Sequence, residues 1–393
     1  MQSVDVLVVG AGPAGLCLTR SLAGSGLSVA LVEQQPQTAL ATPAFDGREI
    51  ALTHASRQIL QTLGIWQRIA PGEISPLRRA RVMNGTSPFA LGFAAEREGV
   101  AELGWLLPNH LIRRAAWKSV QAQAGLEVID GTSVTAITPG VEANTVTLAD
   151  GRQLAARLVV AADSRFSATR RMMGIGAQMR DFGKSMLVCR LHCERPHRHE
   201  AWEWFGYERT LAMLPLPGDQ ASAVITLPPQ KLQALMAMEE GQFGRTVTGF
   251  FEQRLGQMQL AGTRHVYPLV GVYAQRFAGP RYALIGDAAV GMHPVTAHGF
   301  NLGLQSQHRL AQQLRRTAEA GADIGAKALL ARYERGHRLA ARPLYEATNA
   351  IVSLYNDSRL PARLLRGAAL RAAHGVAPFR KMIAAHLTQR QSL

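Results

Sequence analysis

Residues 4–33, VDVLVVGAGPAGLCLTRSLAGSGLSVALVE, constrain this chain more than any other stretch. Val4 and Val6–Val9 form an apolar run without helical period, as a strand buried on both faces does. Gly10, Gly12 and Gly15 follow at once, with Pro13 and Ala14 between the last two. In this spacing the first glycine permits a tight turn, the second lets a pyrophosphate approach the backbone, and the third lets helix and strand pack closely. The helix then begins with free N–H groups and a positive dipole end facing the phosphate. Its apolar face is Leu16, Leu18, Leu22 and Ala23, and Gly24 and Gly26 end it. Val29–Val32 read as a second buried strand, with Glu33 at its carboxyl end. A carboxylate there accepts hydrogen bonds from ribose hydroxyls. Strand, glycines, helix, strand and acid in this order predict a dinucleotide site.

At 393 residues the chain predicts two packed units. A hydrophobic fraction of 47% fits a full globular core, and no apolar run reaches the roughly 18 residues of a membrane span. No basic and apolar leader precedes the first strand, and three cysteines are few for a secreted chain, so a cytoplasmic protein is expected. Cys189, His192 and Cys193 invite a metal reading. In MLVCRLHCE, however, alternation puts Cys189, Leu191 and Cys193 on one strand face and Arg190 and His192 on the other, so no metal site is expected. The net charge of +15 is spread along the chain without the aromatic interleaving of a single-strand binder, which argues against nucleic acid.

Further along, Ile59, Leu60, Leu63 and Trp66 fall at helical spacing after Ser56, the expected N-cap, with Arg48 just ahead in a segment able to fold over the glycine turn. A guanidinium there would suit a pyrophosphate. Residues 74–108 read as short strands and 109–124 as a helix. Residues 126–129, 134–137, 145–148 and 154–158 read as a meander, followed by a separate buried strand over 158–162 that runs into Asp163. From 185 to 269 the pattern is that of an antiparallel sheet, interrupted by one helix over 231–255. Residues 282–285 return to a buried strand ending at Asp287, and the remainder is helical with breaks at Pro343, Pro361 and 375–378. Asp287 could hold a ribityl hydroxyl, and a helix N-terminus at 299–302 could offer N–H groups to a ring carbonyl, as a flavin requires. The expected domains are a cofactor-binding part at 1–184, a sheet domain at 185–272, a second cofactor-binding part at 273–335 and a helical region at 336–393.

The set GAGPAG, DGREIAL, AADSRFSATR and GDAAVGMHPVTAHGFNLGL resembles the flavoprotein aromatic hydroxylases of the para-hydroxybenzoate hydroxylase type, in the ubiquinone-biosynthesis branch. The resemblance runs from Val4 to about residue 388. It implies an α/β fold: a Rossmann-like FAD-binding domain, an antiparallel-sheet substrate domain and a helical C-terminal region. It implies FAD as cofactor, with NAD(P)H visiting transiently and O2 giving a C4a-hydroperoxide that hydroxylates an aromatic, prenylated substrate. Gly10, Gly12, Pro13, Ala14, Gly15 and Glu33 would then bind the ADP half. Arg48 would reach the pyrophosphate or ribose, Asp287 the ribitol, and Gly299, Asn301 and Leu302 would lie by the isoalloxazine. Asp163 would touch both FAD and the nicotinamide, and Pro294 and His298 would flank the chemistry. Where the family commonly carries D-G and G-Q-G, this chain has Asp163-Ser164 and Ala297-His298-Gly299.

Trp202, Trp204, Phe205, Leu211, Met213 and Leu214 could line a pocket for a prenylated ring or form an ordinary core. A hydroxylase of a soluble aromatic acid or quinolone, a polyprenyl reductase, a flavin halogenase and a non-enzymatic basic binding protein are the competing readings. The tail from 360 to 393 has no acidic residue and carries Arg363, Arg366, Arg371, Arg380, Lys381 and Arg390. A helix through Arg359, Arg363 and Arg366 would present a basic stripe, which predicts peripheral docking on an anionic membrane surface. Assembly with other ubiquinone-biosynthesis proteins is compatible with the same resemblance.

Overall fold

The computed structural model describes residues 1–357 together with 359, 366, 367 and 371. β1 (Gln2–Val9), α1 (Pro13–Ser21) and β2 (Val29–Glu33) form the expected unit, with β1 and β2 parallel and Val9 opposite Val32. Pro13 takes the first helical position, where its missing N–H costs nothing. β3 (Glu49–Leu52) precedes α2 (His54–Thr62). The cap of α2 is Thr53 rather than Ser56: the Thr53 hydroxyl accepts from the Ser56 N–H, three residues into the start of the helix. Trp66 lies beyond α2, in a single 3₁₀ turn.

β4 (Arg79–Asn84) comes from the region of short strands. The next helix ends at Val120, short of the expected 124. Leu126–Asp130 does not join the meander but pairs in parallel with β2, because the helix before it carries the chain across the sheet. The meander has three strands, Val134–Thr138, Asn144–Leu148 and β5 (Gln153–Ala161). β5 unites two segments expected to be separate, because its buried end runs parallel to β1 as far as Val9 opposite Ala161.

β6 (Ala177–Cys193) is unbroken across positions 184 and 185. It is followed by β7 (Glu200–Phe205), β8 (Thr210–Pro215) and β9 (Gln220–Leu227), then by two helices, Pro229–Met236 and Glu240–Phe250, where one was expected. β10 (His265–Ala274) pairs with β6, and β11 (Tyr282–Leu284) returns beside β5. The second sheet runs β10, β6, β9, β8, β7, β4, so it draws in residues of the 79–94 region as well. On β6, Cys189, Leu191 and Cys193 are buried on one face, whereas Arg190 and His192 point to the other. The buried face packs on the two helices through Trp204, Leu211, Met213, Phe243, Val247 and Phe251. Trp202 packs there too, so this part of the expected pocket is ordinary core.

α3 (Gly299–Glu319) and α4 (Lys327–Asn356) complete the described chain. Pro343 does not break α4, because it stands on the exposed face, where solvent can serve the carbonyl it leaves unbonded. The breaks expected at Pro361 and 375–378 lie outside the described residues, as does most of the basic tail. Arg366 is described and cannot join a lipid-facing stripe. It is buried, donating to the carbonyls of Leu354 (2.9 Å) and Tyr355 (2.6 Å). Arg359 pairs with Asp357 at 2.6 Å. Among the described residues, no helix is long and apolar enough to cross a membrane.

Candidate functional site

The glycine turn separates its three glycines by what each is needed for. Gly10 has φ +106°, and a Cβ there would lie 2.7 Å from the Ala162 carbonyl oxygen. A Cβ on Gly15 would lie 2.0 Å from the Gly10 carbonyl oxygen. The protein itself therefore demands both. Gly12 has an unremarkable φ of −71°, and the nearest protein atom to its Cβ would be 4.0 Å away. Nothing in the chain requires glycine at 12, whereas a ligand lying against the N-terminus of α1 would. Glu33 is brought to this turn, its carboxylate accepting from Ala11 N at 2.6 Å and Gln35 N at 3.0 Å.

The other motifs converge on the same place. Ala14 meets Gly286, whose Cβ would come within 3.0 Å of it, and Gly286 in turn faces Gly303 of α3. The Gly286 N–H donates to Ser306 Oγ at 3.1 Å. Small residues thus let α1, the turn after β11 and α3 meet closely. Asn301 fastens the start of α3 to the β3–α2 junction: its Nδ2 donates to the Ala51 carbonyl (2.8 Å) and its Oδ1 accepts from Thr53 N (3.1 Å). Leu302 is buried beside it, Gly299 is the first residue of α3, and His298 stands buried at the boundary. Pro294 opens a 3₁₀ turn capped by the His293 ring, which accepts from Val295 N at 3.2 Å. Burial, aided by Lys184 and Arg165, pushes His293 down to about 4, so it is a neutral acceptor at physiological pH.

Beyond Glu33 and Asn301, three more of the expected site side chains are engaged with protein groups. Asp287 pairs with Arg165 at 2.9 Å, and the same guanidinium donates to the Val270 carbonyl at 3.0 Å. Arg48 pairs with Asp46 at 2.6 Å and lies 5.5 Å from the Tyr267 ring centre. Asp163 has its backbone against Gly10, but its carboxylate caps its own turn, accepting from Ser167 Oγ and from Thr169 N at 3.1 Å. The Arg165 partner of Asp287 was overlooked, although it lies within the AADSRFSATR motif.

Ser164 carries φ +150°, a region that costs a side-chain-bearing residue about 1–3 kcal/mol. Ser164→Gly is expected to raise the unfolding free energy by about 1 kcal/mol, after the greater unfolded-state freedom of glycine is subtracted. A urea midpoint at or below that of the parent would contradict this.

The profile of a family described as "FAD binding domain" matches residues 3–348. The chain belongs to that family. Ubiquinone hydroxylase UbiM of Neisseria meningitidis is 47% identical over 388 residues, covering 98% of this chain and 84% of that protein. Ubiquinone hydroxylase UbiL of Rhodospirillum rubrum is 34% identical over 382 residues, covering 97% and 89%. The crystal structure of p-nitrophenol 4-monooxygenase PnpA from Pseudomonas putida matches all of both chains with a TM-score of 0.80 at 17% identity, a likeness of fold. The protein is an FAD-dependent aromatic hydroxylase of the flavoprotein monooxygenase class, in its ubiquinone-hydroxylase branch. The open side of Gly12, the carboxylate at the turn and the helix N-terminus at Gly299 fit the phosphate, ribose and ring ends of that cofactor.

Proposed function

We propose that the protein hydroxylates the ring of a prenylated phenol on the route to ubiquinone, using NAD(P)H and O2. The observation that carries this reading is the 47% identity over 388 residues with a relative named a ubiquinone hydroxylase. When bound, FAD supplies the redox chemistry that activates oxygen, and the chain supplies binding, orientation and dryness. Gly10, Gly12, Pro13, Ala14 and Gly15 would hold the pyrophosphate against α1, and Glu33 would accept from a ribose hydroxyl. Arg48 would turn from Asp46 to the phosphates, and Asp287, steadied by Arg165, would take a ribityl hydroxyl. The N–H groups at Gly299, Asn301 and Leu302 would face the ring edge, with Pro294 and His298 beside the reacting centre. Asp163 would shape the loop next to Gly10. The first sheet and α3 would thus hold the cofactor, and the second sheet would roof the substrate.

Purified enzyme given FAD, NADH or NADPH, O2 and a prenylated phenol should return a product bearing one more oxygen. Cells lacking the protein should accumulate the unhydroxylated precursor, and unchanged quinone intermediates in such cells would end this reading. A bilayer-dissolved substrate also requires the enzyme to visit the membrane, and a basic chain favours anionic lipid by about 1 kcal/mol for each charge near the surface. Binding to anionic vesicles that weakens with salt is expected, and equal partitioning onto neutral vesicles would contradict it. Contacts with other ubiquinone-biosynthesis proteins would serve the same end.

A further inference from the structure

The loop that follows β5 and the turn that follows β11 are tied together twice. Arg165 donates from Nη2 to Asp287 Oδ2 at 2.9 Å and from Nη1 to the carbonyl of Val270, on β10 of the second sheet, at 3.0 Å. Its own carbonyl accepts from Nη1 of Arg170 at 3.1 Å, and that buried guanidinium also donates to the Ala288 carbonyl at 2.9 Å. Gly291 leaves room for the Arg165 side chain, since a Cβ there would lie 3.0 Å from the Arg165 Cβ. Asp287 is thus held on a rigid frame by one of its two oxygens. The other oxygen makes no hydrogen bond with any described residue.

Stability does not account for this pair. Its side chains are 29% and 36% exposed, and an ion pair so open to water contributes little to folding. A guanidinium fixed by a backbone carbonyl, on a main chain that is itself clipped in place, keeps a neighbouring carboxylate in one orientation. Asp287 follows Gly286, which packs between Ala14 of α1 and Gly303 of α3, so the carboxylate stands between the two ends of the cofactor site. The charge of Arg165 also reaches the Pro294 turn, where burial, then Lys184 and Arg165, disfavour the protonated form of His293.

We propose that Arg165 is a positioning residue for FAD with an electrostatic task as well: it cancels the charge of the carboxylate that holds the ribityl chain. A flavin gains negative charge near its pyrimidine side when it is reduced, and an unpaired carboxylate nearby would oppose that gain. Paired with Arg165, Asp287 keeps one oxygen for a ribityl hydroxyl and brings no net charge. The inference rests on the reading in which Asp287 takes that hydroxyl. It does not depend on which phenol is hydroxylated.

FAD affinity and the reduction potential of bound FAD test this, with ADP affinity as the control for the glycine turn. Counting charges gives the pattern. The parent pair is neutral, Arg165→Met leaves a negative charge, Asp287→Asn leaves a positive one, and the double variant is neutral again. Arg165→Met should bind ADP as the parent does and FAD about tenfold more weakly, the scale of one hydrogen bond to a charged group. Its preference for reduced over oxidised FAD should fall about tenfold, a potential lower by about 30 mV for two electrons. Asp287→Asn should raise the potential, and the double variant should return it to the parent value while FAD affinity stays low. Arg165→Lys should keep the potential, because the charge remains. A parent-like potential in Arg165→Met, one that does not rise in Asp287→Asn, or a double variant displaced as far as Arg165→Met overturns the proposal. So does an ADP affinity that falls together with FAD affinity, which would mean that the loop has collapsed. If Asp287→Asn leaves both FAD affinity and potential unchanged, the ribityl reading has failed and the role of Arg165 falls with it. None of these measurements uses the phenol, so an enzyme that fails to oxygenate prenylated phenols would end the substrate reading and leave this one standing.

Discussion

The Gly12→Val variant is expected to fold and to purify without FAD. At 12 the backbone has φ −71° and ψ 174°, which valine adopts readily, and no protein atom lies within 4.0 Å of the added Cβ. The fold should therefore lose only the order of 1 kcal/mol from a β-branched residue at a helix N-cap. The added methyl groups project into the space against the start of α1, where the pyrophosphate must approach the backbone. Gly15→Ala is the instructive contrast. Its Cβ would sit 2.0 Å from the Gly10 carbonyl oxygen, so that substitution should unfold the turn itself. Flavin absorbance per polypeptide and the thermal midpoint separate the two cases. Stoichiometric FAD retained by Gly12→Val would remove the pyrophosphate from this turn.

What the sequence disclosed follows the range of the interactions concerned. The β1–α1–β2 unit was legible because its period, glycines and acid are local, and each residue constrains its neighbours. Alternation likewise separated Cys189, Leu191 and Cys193 from Arg190 and His192 on β6, since side-chain direction in a strand needs only spacing. Pairing is another matter. Nothing local tells that Leu126–Asp130 lies beside β2, or that β4 runs parallel to β7 across more than a hundred residues of chain. Apolarity could not tell core from cavity either. Trp202 and Trp204 face the helices, whereas Glu203 between them lies on the opposite face of the sheet, and the same alternation fits either assignment until the neighbouring layers are known. Charges were the least legible. Arg366 was expected at a surface, yet backbone carbonyls and the Tyr355 ring hold it in the interior. Asp287 was expected to be a site residue, but its Arg165 partner is 122 positions away.

Arg190→Met should destabilise the protein strongly, and more so as pH rises. Glu49 lies on β3, its side chain wholly buried, and Arg190 reaches it from β6 with Nε at 2.9 Å and Nη2 at 2.7 Å from one carboxylate oxygen. The other oxygen, Oε2, is buried without a hydrogen bond among the described residues. Burial pushes Glu49 up to about 7, with Arg190 pulling in the opposite direction. An acid whose folded pKa is raised contributes full stability below its unfolded value, and that contribution is lost as pH rises through the folded one. For the parent this window runs from the ordinary value near 4.5 to about 7. Without Arg190 the cation paired with Glu49 is gone, the folded pKa rises further, and the loss continues into the alkaline range. Leaving one member of a buried pair uncompensated costs about 3–5 kcal/mol. That figure should be approached at pH 9, whereas at pH 5 the carboxyl is protonated and the cost should shrink to lost packing of Arg190 over the Phe45 ring, 4.8 Å away. Glu49→Gln combined with Arg190→Met removes the ionisable group and should flatten the pH dependence, which a double-mutant comparison of urea midpoints would detect. Because this pair ties the second sheet to β3, the single variant should also bind its aromatic substrate less well at high pH. An equal loss of stability at pH 5 and pH 9 would mean that Glu49 does not titrate in the folded protein and that the clamp is held by packing alone.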